Sequence, residues 1–238
     1  MIDVKALSTN LRRLEPEHVV SKCWQMALVT FSFYLASTTT IVTVHLSAGS
    51  TLERTAAIRT TLLDVITRYN ISSMLDSSCG SMMWMPLVLQ QAEAQRPGFR
   101  FMGTDVVCGL IEKHKVAYAN TSWSFDCIDY ANQQLPSGYD LVFSRDSLQH
   151  VPMHAAWQFL NNVKATGAKW LLVGSYVKSP APNKDIKGGD VYFINLLKEP
   201  FNVREPVEII AENDPEQKHM LLFDVSRMTW QDTLHGLI

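Results

Sequence analysis

Four short stretches of this chain carry residues able to bind or transfer a polar group. In the first, Asp76-Ser77-Ser78-Cys79-Gly80-Ser81, small residues let the backbone turn sharply and approach a ligand. A helix starting just beyond would aim its free N–H groups into the same space. In the second, Gly103-Thr104-Asp105, an acid stands 25 residues after Gly80, near the spacing at which a carboxylate meets a ribose diol. In the third, Asp129-Tyr130, an acid could accept from an adenine amino group while the ring stacks on the base. In the fourth, Arg145-Asp146-Ser147-Leu148-Gln149-His150, a helical turn would set Asp146 and His150 on one face. That pair could take a proton from an acceptor. Each stretch also has a plainer reading: an ordinary β-to-α turn, Asp105 as a helix N-cap, a solvated Asp129 loop, Asp146 as a cap, and His150 as a packed residue.

These stretches make sense only if separate elements bring them together. Strand and helix signals alternate along the chain, the pattern of a parallel sheet with crossover helices. Strands are expected at 71–76, 99–105, 123–129, 140–144 and 169–176, with helices at 84–95, 107–115 and 153–166 between them. An earlier helix is expected after Ser47-Ala48-Gly49-Ser50, capped by Ser50 or Thr51 with Glu53 in its first turn. Gly167 suits the left-handed stop of the helix before the fifth strand. Two further strands, 207–211 and 220–225, suit an antiparallel hairpin at the sheet edge. Seven strands result, and each of the four stretches follows the end of a strand, where open α/β sheets bind their ligands.

The 238 residues suffice for one such domain, and 47% apolar against 18% charged residues allows a sizeable core. A net charge of -2 offers no basic excess for a phosphate backbone, so no nucleic-acid partner is expected. Cys23, Cys79, Cys108 and Cys127 form no CxxC pair and no zinc spacing, so no metal is expected. The expectation is four reduced, mostly buried thiols and a cytoplasmic protein. The stretch Cys23–Leu46 contains no Asp, Glu, Lys or Arg. It is long enough for a membrane anchor but interrupted by Ser and Thr, so the alternative is a membrane-anchored protein. In that case Asn70-Ile71-Ser72 and Asn120-Thr121-Ser122 become glycosylation acceptors.

The ordered combination of these motifs resembles the class I S-adenosylmethionine-dependent methyltransferases. More narrowly it is similar to a bacterial-type set of methyltransferase-domain proteins. The likeness runs through Gly49-Ser50-Thr51-Leu52-Glu53, Leu75 to Gly80 with Trp84-Met85, Gly103-Thr104-Asp105, Arg145-Asp146 with His150, and Leu171 to Ser175. Its last segment takes in Asn183, Asp185-Ile186, Gly189-Asp190, Asn195-Leu196 and Pro200-Phe201. The resemblance implies an α/β, Rossmann-like three-layer sandwich over residues 47–238, its seven-stranded sheet mostly parallel with the last strand pair antiparallel. Residues 1–46 are expected to form an N-terminal arm or cap, or a membrane anchor.

The resemblance also implies roles. Asp76, Ser78 and Gly80 would frame the methionine end of S-adenosylmethionine, Asp105 would hold its ribose, and Asp129 and Tyr130 would face its adenine. Arg145, Asp146 and His150 would border the methyl-transfer pocket. Asn183, Asp185, Asp190 and Asn195, in a lid after the fifth strand, would meet the acceptor, a small molecule or glycan-like hydroxyl. Two departures stand out. Ser81 replaces the acid usual after the second small residue, and Met82-Met83 replaces the usual Phe-Asn. They leave open a non-catalytic relative that keeps the cofactor. A nucleotide-dependent oxidoreductase is disfavoured, because no GxGxxG follows the first strand.

Overall fold

The computed structural model describes residues 48–187, 190–213 and 217–230. The arm, the stretch 23–46 and Cys23 lie outside the described residues, as does Gly189. A 3-10 turn, Ala48–Ser50, leads through a loop into α1 (Ala56–Arg68). The helix starts later than the 50–51 cap predicts. The Thr55 hydroxyl returns to the Thr51 carbonyl, and the Arg54 N–H goes to the Thr51 side chain, so residues 51–55 form turns rather than helix.

The alternation then runs as expected: β1 (Ser73–Ser77), α2 (Met85–Gln95), β2 (Arg100–Asp105), α3 (Cys108–Ala117), β3 (Ser124–Cys127), β4 (Leu141–Ser144), α4 (Met153–Ala165), β5 (Trp170–Ser175), β6 (Glu208–Ala211) and β7 (His219–Asp224). Gly167 follows α4 with φ +70°, the left-handed stop its position predicts.

The sheet order is β3-β2-β1-β4-β5-β7-β6. The first five strands are mutually parallel, while β7 runs antiparallel to both β5 and β6. Period-two alternation divides the side chains between two cores. Met74, Leu141, Phe143, Leu172 and Leu222 face α1, α2 and α3, against Ile58, Leu62, Val88, Leu89 and Ile111. Leu75, Val142, Leu171, Val173 and Leu221 face α4, against Trp157, Phe159, Leu160 and Val163. Three layers result, with β1 buried along its whole length. The strand order reverses between β1 and β4. That is the topological switch point, where a crevice opens at the carboxyl ends of the strands.

Candidate cofactor cleft

At that crevice the loops after β1, β2, β3 and β4 enclose a cleft of about 270 Å³. Ser78 comes from the first loop, Val106 from the second and Ile128 to Asn132 from the third. Ser147, His150, Val151 and Pro152 come from the fourth, and His154 and Ala155 from the first turn of α4.

Asp105 ties the loops together. Its Oδ2 accepts the Gly80 N–H at 3.0 Å and its Oδ1 the Val107 N–H at 3.0 Å. Its carbonyl accepts the Ile128 N–H, and the Thr104 carbonyl accepts the Cys79 N–H. Asp105 is not the N-cap of α3, which is Val107: one oxygen closes a turn on the Val107 N–H ahead of the helix and the other clasps the small-residue turn. Gly80 has φ +54°, a conformation glycine adopts without cost. Its carbonyl contacts His114 Nε2 at 2.7 Å, an imidazole on α3 that buttresses the turn from behind. A side chain on Gly103 would strike Cys79 and Phe125 at 3.0 Å, so β2 needs glycine for the turn to lie this close.

Asp76 differs from every other acid near the cleft. It is 3% exposed, and among the described residues none donates a hydrogen bond to its carboxylate. Burial, reinforced by the neighbouring Asp105 charge, pushes it well above the usual carboxylate range. Burial also raises Asp105, against the pull of its backbone N–H partners. Neither acid lines the cleft itself: Asp76 stands two residues before Ser78 and Asp105 one before Val106 in its wall, and among the described residues no salt bridge pairs either, an arrangement that a positively charged ligand would relieve.

The third loop is ordered by its own side chains. Asp129 Oδ1 accepts the Ala131 N–H and its Oδ2 the Asn132 amide, with lone pairs left for a further donor. Tyr130 lies in the wall, 7% exposed, its ring edge-on to Phe159 at 5.1 Å. Its hydroxyl meets Ser147 Oγ at 2.7 Å, and Ser147 Oγ lies 3.2 Å from Ser78 Oγ. These three hydroxyls cross the cleft from β3 through β4 to β1.

No protein-family model and no curated protein matches this chain. Solved structures do match it. One is the methyltransferase domain of the bacterial protein CtHen1: 18% identity, TM-score 0.50, covering 71% of this chain and 97% of that one. Another is PH0226 from Pyrococcus horikoshii: 13% identity, TM-score 0.51, covering 75% and 93%. A third is human N-acetylserotonin methyltransferase in complex with SAM: 14% identity, TM-score 0.50, covering 71% of this chain and 52% of that one. The chain has the fold of the S-adenosylmethionine-dependent methyltransferases.

Several predicted residues sit elsewhere on this methyltransferase fold. Asp146 and His150 do not share a helical face. Asp146 has φ +56° and precedes a short 3-10 turn, Leu148–His150, so the two residues are not one turn apart on an α-helix. Asp146 instead accepts from Arg145 at 2.8 Å, Lys218 Nζ at 2.6 Å and Gln149 at 3.0 Å. Arg145 is 4% exposed in its side chain and forks onto Glu212 at 2.7 to 3.1 Å, with a further bond to the Gly49 carbonyl. Burial would raise Asp146, but Arg145 and Lys218 outweigh it and hold the carboxyl low. His150 alone of the three lines the cleft.

The lid residues are used within their own segment. Asn183 donates to the carbonyls of Asn195 and Glu199 and accepts the Asn195 N–H. Asn195 is 2% exposed and bonds Val177 and Leu197. Asp185 accepts the Met153 N–H and so caps α4. Asp190 is exposed. The carboxamides of half-buried Asn183 and buried Asn195 thus shape this loop with their own hydrogen bonds.

Ser147, Asn132, His154 and His114 are site residues the motif reading passes over. His154 stands four residues beyond His150, a spacing visible in the sequence. His114 is a long-range partner with no local signal. Cys108 and Cys127 form a disulfide rather than two reduced thiols, and only Cys79, among the described residues, is a free buried thiol. The spacing of 19 residues gives no hint of it, because β2 and β3 bring the two together only once paired. Among the described residues no cluster suits a metal ion, and no helix is long and apolar enough to cross a membrane.

Proposed function

We propose that the chain is an S-adenosylmethionine-dependent methyltransferase whose cofactor binds in the cleft at the β1/β4 switch point. The observation that carries this reading is the unpaired buried carboxylate of Asp76 beside Asp105, at the carboxyl ends of the neighbouring strands β1 and β2. An amino-acid ammonium and a sulfonium are cations, and either would relieve two carboxylates held without one. The residues fit the rest of the group as well. Asp105 retains lone pairs for a ribose diol, and Asp129 and Asn132 present an acceptor and a donor to a base edge.

When bound, the cofactor supplies an activated methyl carbon, so the chain's task is alignment. Asp76 and Asp105 fix the charged and ribose ends, and Val106, Ile128, Val151 and Pro152 keep water from the walls. His150 and His154 are the imidazoles on the cleft and can take the proton of an acceptor hydroxyl on a ring nitrogen. A hydroxyl on a small molecule or a glycan is the acceptor class this suits.

Titration calorimetry with S-adenosylmethionine or its demethylated product tests the reading. Binding is expected for the unaltered chain, and the Asp105→Ala variant should lose roughly 1–3 kcal/mol of it. No binding at sub-millimolar cofactor to a folded chain removes the proposal. A second reading, a cofactor-binding relative without turnover, is favoured by Ser81 and by the engagement of Asp146 with Arg145 and Lys218 instead of His150. Cofactor binding with no methyl transfer to any cell-extract component selects it.

A further inference from the structure

The α3 unit carries two features that the methyl-transfer reading does not use. Its ends are joined by Cys108, at the start of α3, and Cys127, the last residue of β3. Disulfides of this structural kind form and persist in oxidising compartments. Between the two cysteines lies Asn120-Thr121-Ser122, on the turn that follows α3. All three residues are exposed. Among the described residues the Asn120 carboxamide makes no hydrogen bond, whereas the Asn70 carboxamide accepts from Arg96 at 2.6 Å. Ser72, third residue of the other acceptor triplet, is held by Asp140.

Position also matters. Because β2 and β3 are parallel, α3 must carry the chain back from the carboxyl edge of the sheet to its opposite edge. Asn120 therefore lies on the side remote from the cleft, where a bulky, solvated substituent blocks nothing.

We propose that this chain folds in an oxidising, secretory-type compartment and that Asn120 there receives an N-linked glycan. Both reactions balance with co-reactants of that compartment. Cys108 and Cys127 give two protons and two electrons to a protein disulfide as the S–S bond forms. The Asn120 amide nitrogen, losing one proton, bonds to the anomeric carbon of a lipid-pyrophosphate-linked oligosaccharide as the bond from that carbon to the pyrophosphate oxygen breaks. The charge-free stretch Cys23–Leu46 is long enough to lead the chain into a membrane. The reduced thiols and cytoplasmic setting read from the sequence then give way together.

The test is translation of the full chain with endoplasmic-reticulum microsomes. The expected product is protease-protected and shifted to slower mobility, and an N-glycosidase removes the shift. Asn120→Gln and Ser122→Ala each remove one step of it, and Asn70→Gln leaves that step in place. Non-reducing peptide mapping finds Cys108 joined to Cys127. A chain left outside the vesicles, a protected chain with no glycosidase-sensitive shift, or a shift untouched by Asn120→Gln overturns the proposal.

Discussion

Two clusters of buried carboxylates sit along the carboxyl edge of the same sheet, and the chain treats them in opposite ways. Beyond β4, Asp146 and Glu212 are matched by Arg145 and Lys218, two anions against two cations. At the ends of β1 and β2, Asp76 and Asp105 meet only backbone N–H groups and, for Asp76, none of those. The first cluster joins β4 to the ends of β6 and β7 and to the segment at Gly49, where a side chain would strike Asp146 Oδ2 at 2.6 Å. It is closed, and its charges are satisfied. The second is buried beside the cleft, behind Ser78 and Val106 of its wall, and among the described residues no salt bridge pairs it. A compensated buried cluster is scaffolding; an uncompensated one is a place for a ligand to complete.

The comparison breaks most visibly at Arg145. Arg145→Met leaves Glu212 buried without its fork and removes one partner of Asp146, a loss of about 3–5 kcal/mol expected in urea unfolding. A cost below about 1 kcal/mol would show that the cluster is not closed as described.

Asp76→Asn sharpens the contrast. Asp76 is raised in the folded chain, so its contribution is fully present below the unfolded value and is lost as pH rises through the folded one. Asp146 is lowered, so its contribution is present above the unfolded value and is lost as pH falls through the folded one. The unliganded Asp76→Asn chain should therefore melt higher than the parent near neutral pH, while its affinity for a cationic cofactor falls. Cofactor affinity of the parent should rise with pH through the raised Asp76 titration and go flat in the variant. Equal melting temperatures and equal affinities would dissolve the distinction between the two clusters.

The smallest effect belongs to an exposed pair used as control. Arg68 meets Glu208 and Asp64 on the surface, its side chain 43% exposed. Arg68→Ala should cost no more than about 1 kcal/mol, and less in high salt.

Much of this arrangement is legible in the residue order. Every strand and helix after residue 70 is found within a few residues of its expected place, because period-two and period-3.6 patterns follow from which face is buried. Asp105 and Gly80 are joined by a hydrogen bond, since strand ends and βα turns fix where their residues project. Tyr130 lines the cleft as its place after β3 suggests, but its partners Ser147 and Phe159, 17 and 29 residues away, have no local signal in the sequence.

What the sequence alone determined is the succession of elements and the row of strand ends on which polar residues must gather, because both follow from local pattern and chain direction. Tertiary structure decided which acids were neutralised. Asp146 found Lys218, Arg145 found Glu212, and Cys108 found Cys127, while Asp76 found no donor among the described residues. Those outcomes depend on strands distant in sequence lying side by side, and on the cost of burying a charge, which is set by neighbours rather than by the residue's own type.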